Sequence, residues 1–282
     1  MSRTLQQTWD EFKLERSTTV YATTMAADYR QVTKWINKCP ITDLSEGRQV
    51  MTWVLTQQPV KASRRVAMYV KSLYRWASSE DIAYLPKNPI STFRMPKPPQ
   101  SDEEIIVIPK NEVTLLLAAF EAKQQKFNWA AYSEIMLQTA MRTGEVRAIK
   151  WSDIKDNKIL VHSNYTLTHG LKNSTKTNKK RQVPANARCQ EIFNSLPQDD
   201  EFVFPYNRFA FQSFFYDRTK ELHSAGLTNN RYRPYDLRHT AISRWIEAGI
   251  PVAQAAKWAG NSSEVIWKHY VNVTKDYEMP VL

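Results

Sequence analysis

Five prolines crowd into residues 86–99, PKNPISTFRMPKPP, and the acidic run SDEE follows after Gln100. Proline fixes φ, removes a backbone donor and is excluded from helix interiors, so a stretch this dense holds extended chain. It cuts the 282 residues into two parts, each long enough to bury its own core. We place a linker at 94–108, between an N-terminal domain at 1–93 and a C-terminal domain at 109–282.

The N-terminal part reads as helices. Leu5, Trp9 and Phe12 recur at helical spacing, as do Val32, Trp35 and Ile36, and then Val50, Trp53 and Val54. The longest stripe is Val66, Tyr69, Val70, Leu73 and Tyr74, with Trp76 behind it. That fourth helix also carries Lys61, Arg64, Arg65, Lys71 and Arg75. A basic face of this kind is either solvated or laid on nucleic acid.

In the C-terminal part, apolar periodicity predicts helices at about 110–123 and 128–141. WSDIKDNKILVHSNYTLT then reads as a turn, a short strand at Ile159, Leu160 and Val161, and a second extended piece. RQVP reads as a returning strand that its proline ends. Helices follow at 186–195 and 208–223, with FVF as a strand or turn between them, and then at 236–248, 251–259 and 263–270. The expected fold is mainly α (α+β), a helical domain followed by a mostly helical one with a small antiparallel sheet.

Composition narrows the partners. The formal charge is +11, which favours a polyanion. Cys39 and Cys189 are the only cysteines, too few and too far apart for a disulfide framework or a zinc pattern. No apolar run approaches the roughly 18 residues of a membrane span, and MSRTLQQTWDEF lacks a signal-peptide core. We expect a cytoplasmic location, no membrane, no metal and no cofactor.

The residues that carry chemistry lie in four places: Arg142 in TAMRTGEVRAIKW, a lysine-rich run STKTNKKRQVP, Arg238 in RYRPYDLRHTAISRW, and Tyr270 in AGNSSEVIWKHYVNV. Two arginines, a lysine and a late tyrosine suit transfer of a phosphodiester to a protein hydroxyl. The nonbridging oxygens gain charge in the transition state and need fixed donors, which the planar guanidinium supplies. The leaving oxygen needs a proton, which a lysine provides. The phenol is the nucleophile.

This order and spacing resemble the tyrosine recombinases of the phage integrase family. The match rests on AMRTGE around Arg142 and Glu145, on KTNKKRQVP, which points to Lys176, on YDLRH for Arg238, and on Tyr270 with Asn261 nine residues before it. The resemblance implies a SAM-like helical core-binding domain ahead of the catalytic domain. It implies that Tyr270 attacks the scissile phosphate to form a 3′-phosphotyrosine link, that Arg142 and Arg238 hold the nonbridging oxygens, and that Lys176 protonates the leaving 5′ oxygen. Lys172, Lys179, Lys180 and Arg181 would hold DNA electrostatically. Family members act as a homotetramer on paired double-stranded sites, some with accessory DNA-bending proteins.

The sequence departs from the family pattern twice. Tyr235 stands where a histidine is usual, and Asn261 where histidine or tryptophan is usual. Asn261 and Tyr235 would complete the phosphate pocket by hydrogen bonding, but an amide shuttles no protons and a phenol is a poor base near neutral pH. His239 and His269 adjoin the motif residues. Neighbouring side chains on a helix point about 100° apart, so neither is expected to replace its neighbour directly. Two other readings stay open: a recombinase-like accessory protein that binds without cutting, and a type IB-like topoisomerase.

Overall fold

The first helix, α1 (Leu5–Ser17), starts where Thr4 and Gln7 cap it reciprocally, Thr4 Oγ1 accepting from the Gln7 amide at 3.2 Å and Gln7 Oε1 from the Thr4 amide at 3.3 Å. The computed structural model describes residues 3–20, 24–96, 105–123, 127–166, 170–173, 180–206 and 208–270. These fall into two compact units, Met1–Ser101 and Asp102–Leu282. In the first, α1 is followed by α2 (Arg30–Ile36), α3 (Gly47–Thr56) and α4 (Val60–Ala77). The apolar stripes read from the sequence face inward: Leu5, Trp9, Phe12, Val32, Trp35, Val50, Val54, Val66, Val70 and Leu73 share one core. Trp9 stacks on Tyr29 at 5.3 Å between ring centroids.

The second unit begins with α5 (Lys110–Lys123) and α6 (Trp129–Thr139), then a single-turn helix α7 (Thr143–Arg147). Strands β1 (Ile154–Lys155), β2 (Lys158–Val161) and β5 (Arg181–Pro184) form an antiparallel sheet in the order β1-β2-β5. This is the small sheet expected. Beside it stands a two-stranded hairpin, β3 (Asn164–Thr166) with β4 (Gly170–Lys172). The helices α8 (Ala187–Ser195), α9 (Arg208–Ser224), α10 (Pro234–Glu247), α11 (Val252–Ala259) and α12 (Ser263–Tyr270) complete the unit. FVF forms only an isolated bridge, from Phe202 to Lys150. No helix among the described residues is long and apolar enough to cross a membrane.

Two packing layers position the site. The main core joins Leu116, Phe120, Ile135, Met136, Ile159, Val161, Val183, Phe204, Phe211, Phe215 and Leu237. A smaller cluster of Ala140, Ala241, Ile242, Ile246, Ala255, Ala256, Ala259 and Ile266 draws α10, α11 and α12 together. Its alanines let the backbones approach closely, and fully buried Ile266 anchors α12 one turn before Tyr270. Of the stretch read as a linker, Met95 packs on the first core. Ile105, Ile106 and Ile108 pack on the second unit, where the Ile108 amide donates to Thr240 Oγ1 at 2.9 Å.

Candidate active site

Arg142 is the N-cap of α7. Its backbone amide donates to Glu145 Oε2 at 2.9 Å, and its Nη1 donates to Glu145 Oε1 at 3.0 Å. The turn is tight because Gly144 lies under β3: a Cβ there would sit 2.1 Å from Asn164 Oδ1 and 2.5 Å from the Tyr165 carbonyl oxygen. The other end of the guanidinium reaches across the unit. Arg142 Nη2 donates to the Gly260 carbonyl at 3.2 Å and to Asn261 Oδ1 at 3.0 Å.

Arg238 arrives at the same oxygen from α10. Its Nη2 donates to Asn261 Oδ1 at 3.1 Å and to the Ala259 carbonyl at 2.7 Å, and its Nη1 to the Ala140 carbonyl. Arg238 is only 1% exposed, and among the described residues it makes no ion pair. The acid two residues before it, Asp236, is taken by Arg233 at 3.0 Å. Burial, and then the nearby Arg142 charge, push the Arg238 guanidinium down to about 10, so it stays charged near neutrality. The two arginines and Asn261, far apart in sequence, thus meet at one point.

The charge balance there is lopsided. Glu145 is 1% exposed and is the carboxylate that Arg142 and Arg181 share. Burial alone would raise its pKa, but hydrogen bonds and charge from Arg181, then Arg142, outweigh that and hold it below the ordinary carboxylate range. With Arg238 beside them, three guanidiniums share a largely buried pocket with one carboxylate. Such a surplus is costly unless an anion joins it.

The remaining expected residues are placed as follows. Arg181 does not join the lysine run. It faces inward on β5, opposite Val161, with its side chain 6% exposed. Lys172 lies on β4, and Lys180 lines a cavity of about 440 Å³ with Lys158, Lys257 and Trp258. Lys176 and Lys179 lie outside the described residues. The backbone of Tyr270 closes α12, and its side chain lies outside the described residues. On α4, Lys61, Arg65 and Arg75 are exposed. Arg65 pairs with Asp28 at 2.9 Å, Arg64 donates to the Pro96 carbonyl, and Lys71 donates to the Phe93 carbonyl at 3.2 Å.

Tyr235 is 44% exposed and lines a cavity of about 390 Å³ with Thr143, Gln212, Tyr216, Arg233 and His239. The sequence weighs His239 only as a neighbour of Arg238. Compared with Arg238 it points aside. Counted from Tyr235 it lies one helical turn on and shares its face. The two rings meet edge-on at 4.8 Å.

Comparison with known proteins gives the family and the fold. A model of the phage integrase family matches residues 107–276. A shufflon-specific DNA recombinase of Escherichia coli is 30% identical over 143 residues, 49% of this chain and 33% of that protein. The chain therefore spans about a third of that relative's length. Tyrosine recombinase XerC of Pediococcus pentosaceus is 25% identical over 230 residues, 76% of this chain and 71% of the relative. Among solved structures, the Tn1549 transposon integrase in complex with transposon right end DNA superposes with a TM-score of 0.77 at 14% identity, covering 95% of this chain and 94% of that one. A lambda integrase tetramer bound to a Holliday junction gives 0.71 at 16% identity, covering 94% and 80%.

Proposed function

The chain belongs to the phage integrase family, and from that premise we propose that it is a site-specific recombinase that cuts and rejoins duplex DNA through a 3′-phosphotyrosine link. One observation carries the reading. Two arginines from separate helices share Asn261 Oδ1 in a pocket whose carboxylate, Glu145, is already paired twice. A phosphodiester supplies the missing negative charge. Its nonbridging oxygens would take the guanidinium donors, which stabilise the charge that grows in the transition state. The Asn261 amide nitrogen would add a further donor.

In the reaction the Tyr270 oxygen bonds to phosphorus and the bond to the 5′ oxygen breaks. The phenol gives up its proton, and Lys176 delivers one to the departing oxygen. The phosphotyrosine bond conserves the energy for rejoining, so no nucleotide is consumed. Exposed cations on α4 and at Lys180, with half-buried Lys172, would track the DNA backbone. The similar lambda integrase is a tetramer on a Holliday junction, and we extend to this chain a tetramer on paired sites, working in the cytoplasm, with DNA-bending accessory proteins as further partners.

A nicked suicide substrate carrying a candidate attachment site tests the reading. Wild type is expected to accumulate a covalent adduct, and Tyr270→Phe to bind with near-unchanged affinity and form none. Adduct formation by Tyr270→Phe would move the nucleophile elsewhere. A second reading, an accessory protein that binds without cutting, is favoured by Tyr235 standing where a histidine is usual and Asn261 where a histidine or tryptophan is usual. Absence of any adduct from wild type across the pH range would select it. Relaxation of plasmid lacking a site would select a topoisomerase.

A further inference from the structure

Arg181 is a buried cation that the proposed chemistry leaves without a task. Strand alternation puts it on the inner face of β5, in step with Val183, while Gln182 between them is exposed. Its Nη1 and Nη2 grip Glu145 at 3.1 and 2.6 Å, and its Nε donates to the Trp258 carbonyl at 2.8 Å. The guanidinium also lies directly under the turn that presents Asn261. Gly260 is left-handed there (φ +68°), and a Cβ on it would come within 3.0 Å of Arg181 Cζ.

These hydrogen bonds close a ring. Arg181 holds Glu145, Glu145 holds Arg142, Arg142 holds the Gly260 carbonyl and Asn261, and the Trp258 carbonyl just before that turn returns to Arg181. We infer that Arg181 is a positioning residue: it takes up the charge of Glu145, so that Arg142 stays available to a phosphate, and it locks the Asn261 turn to the base of the strand that follows Lys176. The inference rests on the recombinase reading and adds to it.

The role is electrostatic as much as steric. A buried carboxylate has no water to share its charge. Without Arg181 it would fall to Arg142 alone, beside the phosphate it would then repel. A lysine cannot substitute, because one ammonium does not present a planar fork to two carboxylate oxygens and a carbonyl together.

The test compares Arg181→Met, Arg181→Lys and the double variant Arg181→Met with Glu145→Gln, which leaves no buried charge of the pair behind. Single-turnover cleavage at saturating DNA is measured, along with site affinity against salt. Arg181→Met is expected to cut about 10²-fold more slowly, with affinity within about threefold of wild type and an unchanged salt slope. Arg181→Lys should recover little, and the double variant should recover part of the rate. A 5′-bridging sulfur substrate, whose leaving group needs no proton, should restore a Lys176→Ala enzyme and leave Arg181→Met slow. A crystal structure of Arg181→Met should show the Arg142–Asn261 hydrogen bond broken.

Three results would overturn the inference. A salt slope flatter by about 0.9 would make Arg181 a direct phosphate ligand. Wild-type cleavage in Arg181→Met would remove any positioning role. A rate loss matched by thermal unfolding in all three variants, the charge-free double included, would reduce Arg181 to a fold residue. If wild type itself forms no adduct, the recombinase reading fails. The crystal structure then decides the inference alone, and an unmoved Arg142 refutes it.

Discussion

Helix α4 of the first unit and the site of the second use cations in opposite ways. In the second, Arg142, Arg181 and Arg238 are buried or nearly so and direct their donors at backbone carbonyls, one amide oxygen and one shared carboxylate. On α4 of the first, Lys61, Arg65 and Arg75 are exposed to water. Water screens the exposed charges, so each is weak, interchangeable and sensitive to salt. The buried ones are barely screened, fixed in direction and matched to one geometry. A pocket of the second kind would suit one phosphate in one geometry. A face of the first kind recognises any phosphate near it.

The sharpest way to break this comparison is to remove Arg238. Arg238→Ala deletes a preorganised donor and orphans the Ala140 and Ala259 carbonyls, so cleavage is expected to fall by about 10²–10³-fold. Arg238→Lys should remain close to that level, because one ammonium does not replace the fork. Single-turnover adduct formation reads both. If affinity at low salt fell in proportion to cleavage, Arg238 would be behaving like the exposed cations, and the distinction would collapse.

Glu145 gives the next largest effect, on stability. Glu145→Gln leaves Arg181 facing a neutral amide and should cost about 3 kcal/mol, at the lower end for breaking a buried ion pair. The pH dependence has a defined sign. The folded-state pKa is depressed from its ordinary 4.5, so the ionised carboxylate stabilises the fold fully above that value. This stabilisation is lost as pH falls through the depressed value. Denaturant titrations of wild type and variant should run parallel above about pH 5 and converge in acid. Parallel curves throughout would mean that Glu145 contributes nothing through its charge.

Much of this was legible in the sequence because it follows from period and spacing. The inward stripes of α1 to α4, and Arg142, Arg238 and Asn261 at one point, are local patterns or motif offsets. What escaped was legible by the same rules, applied from a different origin. Val183 had to face the core, and a period of two from it puts Arg181 inside. A period of four from Tyr235 puts His239 on its face, which counting from Arg238 hides. The single turn of α7 is a different case. Five residues containing a glycine show no stripe, and the helix exists because Glu145 caps Arg142 and β3 packs on Gly144, which only the tertiary fold reveals. The partnering of Arg64 and Lys71 with the Pro96 and Phe93 carbonyls is equally tertiary.

Tyr235 and His239 sit between the two regimes, half open to water beside a buried guanidinium. Arg238 Cζ lies 6.0 Å from the Tyr235 ring centroid. Tyr235→His should raise cleavage near pH 7, by at most about 10²-fold, since an imidazole titrates in the useful range and a general base contributes on that order. His239→Ala should slow cleavage by less than the arginine variants. Asn261→His should change the rate less, because Asn261 works by hydrogen bonding. The pH–rate profile checks all three. A lower rate in Tyr235→His would give the phenol a positive role of its own.

The smallest effects belong to the exposed face, and they also divide it. Lys61→Ala and Arg75→Ala should each weaken binding modestly and flatten the salt dependence, by up to about 0.9 log units for each phosphate left unneutralised. The deficit against wild type should therefore shrink about three- to fourfold when salt is raised about fourfold. Arg75→Ala should leave thermal stability unmoved, because Arg75 is exposed and its loss uncovers no core. Arg64 and Lys71 are expected to behave differently, because their donors hold the Pro96 and Phe93 carbonyls where the first unit ends. Arg64→Ala and Lys71→Ala should cost about 1 kcal/mol or less in stability, the worth of a hydrogen bond to a charged group near the surface, with a smaller change in salt slope. Arg65 falls between them, since its partner Asp28 also accepts from Tyr69 at 2.9 Å. Salt titrations of binding beside thermal melts separate the classes. Equal slope changes for all five, with no loss of stability, would make α4 a uniform DNA-facing surface. The Arg64 and Lys71 hydrogen bonds would then be ones that DNA displaces.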